Sequence, residues 1–478
     1  MSARAASVCA GAALLVAGCT TVVGGRAVSI LDDPFRVAGL PAVDGPSGPR
    51  PNGPKPTGTV HNTDGGAIDK LALLSINDIE EYWKQAYGQP LRGSFTPVEE
   101  LVSYDSNSQD SPAVCSNATY QNVNAFFTSG CDLIAWDRAV FMPIGEDIFG
   151  DMFITGLLAH EYGHALQQMA KLVTRKDPTI VREQQADCFA GVYMWWVAAG
   201  KSPRFRLSTG DGLDHVLAGM ITTRDPVMDS DTEMDDEHGS ALDRVSAFQM
   251  GFITGTPACA AINMNEVLQR RGDLPTTLRV GPDGVPQTGE VAINQDTLST
   301  LMEVMGKIFA PPQPPTLSYN PADCSGAKAS PPASYCPDTN TITIDLPALQ
   351  KIGQVANEKE HSLPQGDDTA LSIVMSRYVL AVQRERGLPV HSPGTALRTA
   401  CLTGVAHRKM AEPIDLPSHH HLVLIAGDLD KVVAGLLTNH LVASDVDGVT
   451  VPAGFTRIAA FRAGVGGDEG VCYKRFPG

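Results

Sequence analysis

No run of about 18 uninterrupted apolar residues occurs in this chain, so nothing in it reads as a membrane-spanning helix. Basic charge is also short: 36 Lys and Arg face 53 Asp and Glu, giving a formal net charge of −17. Binding to a phosphate backbone needs a basic surface, so nucleic acid is excluded as a main partner. The same deficit disfavours electrostatic attraction to anionic lipid. What remains is globular in character, with 43% hydrophobic and 19% charged residues over 478 positions, enough for two or three domains with their own cores.

The N-terminus, "MSARAASVCAGAALLVAGC", has one early charge at Arg4, then a short apolar stretch and small residues. It is too short to span a bilayer and reads as a secretory signal over residues 1–18. "VAGC", ending at Cys19, resembles the bacterial lipobox, whose cysteine becomes the lipidated first residue. That resemblance implies a protein anchored to the cell membrane on its extracytoplasmic face, touching the bilayer through its N-terminal lipid only. Residues 19–66 follow, dense in Pro and Gly from Gly39 onward and without an apolar period. Their composition predicts a tether holding the folded part off the membrane.

Internal similarity organises the rest. "ADCFAGV" (186–192) resembles "TACLTGV" (399–405), and "DRVSAFQMG" (243–251) resembles "TRIAAFRAG" (456–464). Cys188 and Cys401, Phe248 and Phe461, and Cys259 and Cys472 are all 213 positions apart. Weaker echoes link "SGCDLIAWD" (129–137) to "SYCPDTNTITID" (334–345), and "INDIEEYWKQAYG" (76–88) to "INQDTLSTLMEVMG" (293–306). The chain therefore reads as two tandem copies of one domain, over 67–265 and 285–478, separated by Pro- and Gly-rich punctuation. Eight cysteines lie beyond Cys19, an even number that suggests disulfides in an exported chain. The simplest pairing shared by both copies is Cys115–Cys131 with Cys188–Cys259, and Cys324–Cys336 with Cys401–Cys472.

The first copy carries a chemical motif. "HEYGH" (160–164) interrupts the apolar run "ITGLLAHEYGHALQQMA", which has helical spacing and no proline. On a helix, His160 and His164 share one face and can aim ring nitrogens at one point, as zinc requires. Glu161 stands beside that point, placed to take a proton from attacking water. Glu183 comes nineteen residues after His164, and Asp187 follows it at i+4. This Glu-x-x-x-Asp arrangement resembles the gluzincins, in which the glutamate binds zinc and the aspartate orients the first motif histidine. Together "HEYGHALQ", "EQQADCFAG" and "HGSALDRVSAFQMG" (238–251) resemble the neutral zinc metallopeptidase family of bacteria, and the whole resembles the peptidase-like lipoproteins of actinobacteria. The resemblance implies an α+β, mainly helical, zincin-like domain. It also implies a Zn2+ cofactor held by His160, His164 and Glu183, Asp187 behind His160, and hydrolysis of a peptide or protein substrate.

His238, in the third block, is a candidate donor to the carbonyl oxygen that gains charge in hydrolysis, with Tyr162 a weaker one. Arg244 can pair with local acids or hold the end of the cleft. Its recurrence as Arg457 in the second copy favours a structural role for both. The second copy is degenerate: aligning "EYGHALQ" with "RYVLAVQ" (377–383) puts Ser376, Arg377 and Leu380 opposite His160, Glu161 and His164. Ala396 and Ala400 replace Glu183 and Asp187. No metal is expected there. "HHH" (419–421) lacks the spacing for one shared face, and the acidic run at 225–238 reads as a solvated loop. Two other readings stay open: a cell-envelope binding or scaffold lipoprotein with a vestigial site, and a metal-dependent amidase acting on cell-wall peptides.

Overall fold

The computed structural model of the chain describes residue 29 and residues 32–174, 176–227, 238–278, 289–321 and 323–477. The signal segment 1–18, the lipidation candidate Cys19 and residues 228–237 of the acidic run lie outside the described residues. No described helix is long and apolar enough to cross a membrane.

The segment expected to be a tether is, from residue 32 onward, a strap packed on the folded body. It carries the short strands β1 (Arg36–Val37), β2 (Leu40–Pro41) and β3 (Gly48–Pro49), and β3 pairs antiparallel with residues Phe205–Arg206. The Val43 N–H donates to Thr209 Oγ1 at 3.0 Å, and Arg50 Nε donates to the Ser202 carbonyl at 2.9 Å. Val37 and Val60 are buried. The strap also reaches the C-terminal half, where Thr456 Oγ1 donates to the Arg36 carbonyl at 2.8 Å. Proline removes backbone donors, so such a segment cannot join a sheet interior. It docks instead through a short strand pairing and scattered bonds to loops and helices, which composition does not reveal.

The N-terminal half runs α1 (Ala67–Ala86), β4 (Glu100–Tyr104), β5 (Ala125–Thr128) and β6 (Leu133–Asp137), then α2 (Phe141–Phe149), α3 (Asp151–Ala170) and α4 (Thr179–Ala198). It continues through β7 (Phe205–Arg206), α5 (Asp211–Thr222), α6 (Ala241–Thr254), α7 (Thr256–Ala261) and α8 (Met264–Arg271). Its sheet has the order β4-β6-β5, with β4 parallel and β5 antiparallel to β6. The C-terminal half runs α9 (Gln295–Phe309), β8 (Thr316–Ser318), β9 (Ala333–Cys336), β10 (Thr341–Ile344), α10 (Leu346–Ile352) and α11 (Asp367–Glu385). After these come α12 (Pro393–Met410), α13 (Asp428–Thr438), α14 (Gly454–Val465) and α15 (Glu469–Arg475). Its sheet has the order β8-β10-β9, with β8 parallel and β9 antiparallel to β10. The architecture is α+β and mainly helical, as the sequence led one to expect. The domain edge read at residue 265 cuts α8, which belongs to the first half: Arg271 Nη2 donates to Asp243 Oδ2 at 2.9 Å.

Two structural features occupy the residues that the similar blocks share. The four disulfides join the expected partners, Cys115–Cys131, Cys188–Cys259, Cys324–Cys336 and Cys401–Cys472. The glycines mark backbone contact between helices. A Cβ on Gly251 would stand 1.8 Å from the Cys188 carbonyl oxygen, and one on Gly191 2.1 Å from that of Phe248, so α4 and α6 nearly touch. At the positions 213 residues on, a Cβ on Gly464 would stand 1.8 Å from the Cys401 oxygen and one on Gly404 2.2 Å from that of Phe461. Backbone cannot yield as a flexible side chain does. Gly251→Ala is therefore expected to destabilise the protein by about 1–3 kcal/mol through overpacking, read as a lower midpoint in urea unfolding. An unchanged midpoint would show that the helices can separate freely.

A third glycine places the chemistry. A Cβ on Gly163 would lie 2.7 Å from the Ala186 Cα, so α3 and α4 meet between the two histidines and the two acids. Val379 occupies the aligned position in α11.

Candidate metal centre

Helix α3 starts after Gly150, whose φ of 77° turns the chain sharply out of α2. One turn apart on its buried face stand His160 and His164, their rings 4.9 Å apart. Across the close approach at Gly163, α4 presents Glu183. Its Oε2 lies 3.2 Å from His160 Nε2 and 3.4 Å from His164 Nε2. The three ligand atoms lie within 4.8 Å of one another. Ligand atoms about 2.0–2.1 Å from a tetrahedral zinc stand about 3.3 Å apart, so the spacing suits that ion. The Glu183 Oε2 atom is buried and accepts no well-directed hydrogen bond, which is costly unless a cation sits against it.

The supports of these side chains run inward from the ring nitrogens. His160 Nδ1 is 2.7 Å from Asp187 Oδ1, and both residues are buried. Arg244, from α6, grips the same carboxylate twice, Nε to Oδ2 at 3.0 Å and Nη2 to Oδ1 at 2.8 Å. Its remaining nitrogen donates to the Thr223 carbonyl and hydroxyl, each at 2.7 Å. Burial works against the Asp187 charge, but Arg244 and then His160 outweigh it and hold the carboxyl at about 2. Burial likewise opposes a charged His160, yet Asp187 and Glu183 push it up to about 10. These carboxylates thus favour positive charge at His160 Nε2, supplied by a proton or by a cation that replaces the proton. His164 is fixed from behind by Gln167, Nδ1 to Oε1 at 3.2 Å.

Glu161 is buried beside both imidazoles, and its Oε2 accepts the Phe127 N–H of β5 at 2.9 Å. Burial pushes its carboxyl up, while the histidines pull it down. His238 sits at the rim with its side chain 40% exposed, Nε2 3.6 Å from Glu183 Oε2. It lies outside the tight group of three ligands. Asp225 backs it, Oδ1 3.3 Å from Nδ1, and also accepts the Gly239 N–H at 2.6 Å. Asp225 is therefore turned inward, not part of a solvated loop. Tyr162 does not reach the site. It is fully buried, with its hydroxyl donating to Glu80 Oε1 at 3.2 Å and accepting the Val98 N–H. Residues one apart on a helix point about 100° apart, so a neighbour of Glu161 faces elsewhere.

The corresponding place in the C-terminal half is filled by protein. Arg377, fully buried, donates from Nε to the Ala333 carbonyl of β9 at 2.9 Å and from Nη1 to Ser444 Oγ at 2.9 Å. Glu161 and Arg377 thus bond to corresponding strands, one accepting and the other donating. Arg457 finds no carboxylate at Ala400. It bonds instead to the carbonyls of Leu436, Val451 and Pro452, and to Asp214 of the first half. Both arginines are buried braces, as their recurrence suggested, but on different partners: Arg244 holds a local acid and Arg457 mainly backbone carbonyls. Elsewhere among the described residues, the other potential metal group is Cys324, Cys336 and Asp338, and its cysteines are disulfide-bonded.

Asp225 and the grip of Arg244 on Asp187 were not legible in the sequence. The single local hint was an Asp and a His bracketing one acidic run. Compared with protein-family models, with curated proteins and with solved structures, the chain matches none, so the reading of this site rests on its own geometry.

Proposed function

We propose that the chain is a zinc metallopeptidase, anchored by lipid at Cys19 on the extracytoplasmic face of the cell membrane. The observation that carries this reading is the convergence of His160, His164 and Glu183, with Glu161 buried alongside. The site belongs to the motif class of the neutral zinc metallopeptidases that the sequence resembles. When bound, zinc supplies the Lewis acidity that polarises a scissile carbonyl and acidifies water. The protein's own groups do the rest. Asp187 accepts the His160 Nδ1–H, which fixes the tautomer that leaves Nε2 free as a ligand. Glu161 takes the proton of the attacking water and delivers it to the leaving amine. His238, oriented by Asp225, donates to the carbonyl oxygen as charge gathers there.

The test is metal analysis of the purified chain with a peptide-library digest, with and without a chelator. One zinc per chain is expected, because the Arg377 guanidinium occupies the second half's place, and cleavage should stop when zinc is removed. Two ions per chain would contradict the one-sided site. Cleavage confined to cell-wall peptides would favour the amidase reading. Bound zinc without hydrolysis of either substrate would favour the binding lipoprotein.

A further inference from the structure

The two halves meet through α5 and α6 of the first and α13 and α14 of the second, and their contacts are reciprocal. Asp430, near the start of α13, accepts the N–H of Ala241, the first residue of α6, at 3.0 Å. Asp214, near the start of α5, accepts the N–H of Gly454, the first residue of α14, at 2.9 Å. Ala241 and Gly454 are related by the 213-residue repeat. Each half therefore caps the same helix of the other, supplying a carboxylate to an N-terminus that needs acceptors.

The consequences of the two caps differ. Asp214 caps the helix of the half whose site is filled by Arg377. Asp430 caps the helix that carries Arg244, and it also takes the Arg224 guanidinium, Nε to Oδ2 at 2.9 Å. Arg224 sits between two residues of the site's support. Thr223 accepts from Arg244, and Asp225 holds His238. One buried carboxylate of the C-terminal half thus holds both the turn at 223–225, where the more exposed Glu358 also takes Arg224 Nη2 at 2.8 Å, and the start of α6. Through these it fixes the line Arg244–Asp187–His160 and the pair Asp225–His238.

We infer that the C-terminal half serves as a built-in positioning subunit for the metal centre, with Asp430 as its positioning residue. This rests on the metallopeptidase reading and names the role of the second half within it. Asp430 touches neither substrate nor ligand atoms. It acts through Arg224 and the Ala241 N–H. A carboxylate that only glued the halves together would behave as Asp214 does, so the mirror residue is the control.

The experiment compares Asp430→Ala and Asp214→Ala in the full chain. The readouts are zinc affinity by chelator competition, kcat and KM on the cleaved peptide, and amide hydrogen exchange of the zinc-free protein. Asp430→Ala is expected to weaken zinc binding and lower kcat by about tenfold each, with little change in KM, and to speed exchange over residues 238–244. Asp430→Asn keeps an acceptor for the Ala241 N–H and should fall between it and wild type; it serves as the test if the alanine variant does not fold. Asp214→Ala should speed exchange over residues 453–457 and leave zinc affinity and kcat as in wild type. Unchanged zinc affinity in Asp430→Ala, or an equal loss in Asp214→Ala, would overturn the inference. A wild-type chain that binds no zinc would sink the metallopeptidase reading instead, and the exchange comparison would then decide by itself whether Asp430 holds residues 238–244.

Discussion

Glu161→Gln is expected to lower kcat by about 10²–10⁴-fold while zinc content and KM stay near wild type. The substitution is nearly isosteric, and the glutamine oxygen can still accept the Phe127 N–H that Glu161 accepts at 2.9 Å. Strand β5 and the histidine pair should therefore remain in place. What is lost is the capacity to take a proton from water and return it to the amine. Steady-state kinetics on any peptide from the library digest, beside metal analysis of the same preparation, separates this from loss of the ion. Equal kcat in the variant and wild type would remove Glu161 from the mechanism. Loss of zinc together with activity would make it a support of the ligands.

Asp187→Ala should have the largest effect on stability. It strips the acceptor from His160 Nδ1 and leaves the guanidinium of the buried Arg244 without its carboxylate. Breaking one side of a buried ion pair costs about 3–5 kcal/mol, because the remaining charge stays desolvated. Losing the group that orients a ligating imidazole typically weakens metal binding by about 10–100-fold. The double variant Asp187→Ala with Arg244→Met separates the two effects. Removing the stranded charge should restore much of the stability in urea unfolding, but not the zinc affinity. Zinc affinity unchanged in the single variant would mean that His160 needs no partner behind it.

What could be read from the sequence was what is local or repeated. The apolar spacing around "HEYGH" places two imidazoles one turn apart on α3, since helix geometry fixes the i, i+4 relation. The two cysteine sets, alike in order and in the 71-residue separation of their long bridges, gave all four disulfide partners, because a pairing had to satisfy both halves. Composition misled at residues 39–66, where Pro and Gly signal weak local structure and carry no information on docking. Position in the chain misled at Tyr162, which is next to Glu161 in sequence and faces Glu80 in space.

The sequence by itself determined the helix around "HEYGH", the cysteine partners, and the residue types that suit a metal centre on one half only. The tertiary structure alone decided that Glu183 reaches both imidazoles, that Asp225 turns inward to His238, and that Arg244 grips Asp187. It also decided that Asp430 of the C-terminal half bonds to Arg224 and to the start of α6, beside these residues. The physical reason is range. Dihedral preferences and side-chain periodicity act over a few residues. The approach of α3 to α4 at Gly163 and of α13 to α6 at Ala241 comes from burying apolar faces across long separations, and only the packed chain sets those distances.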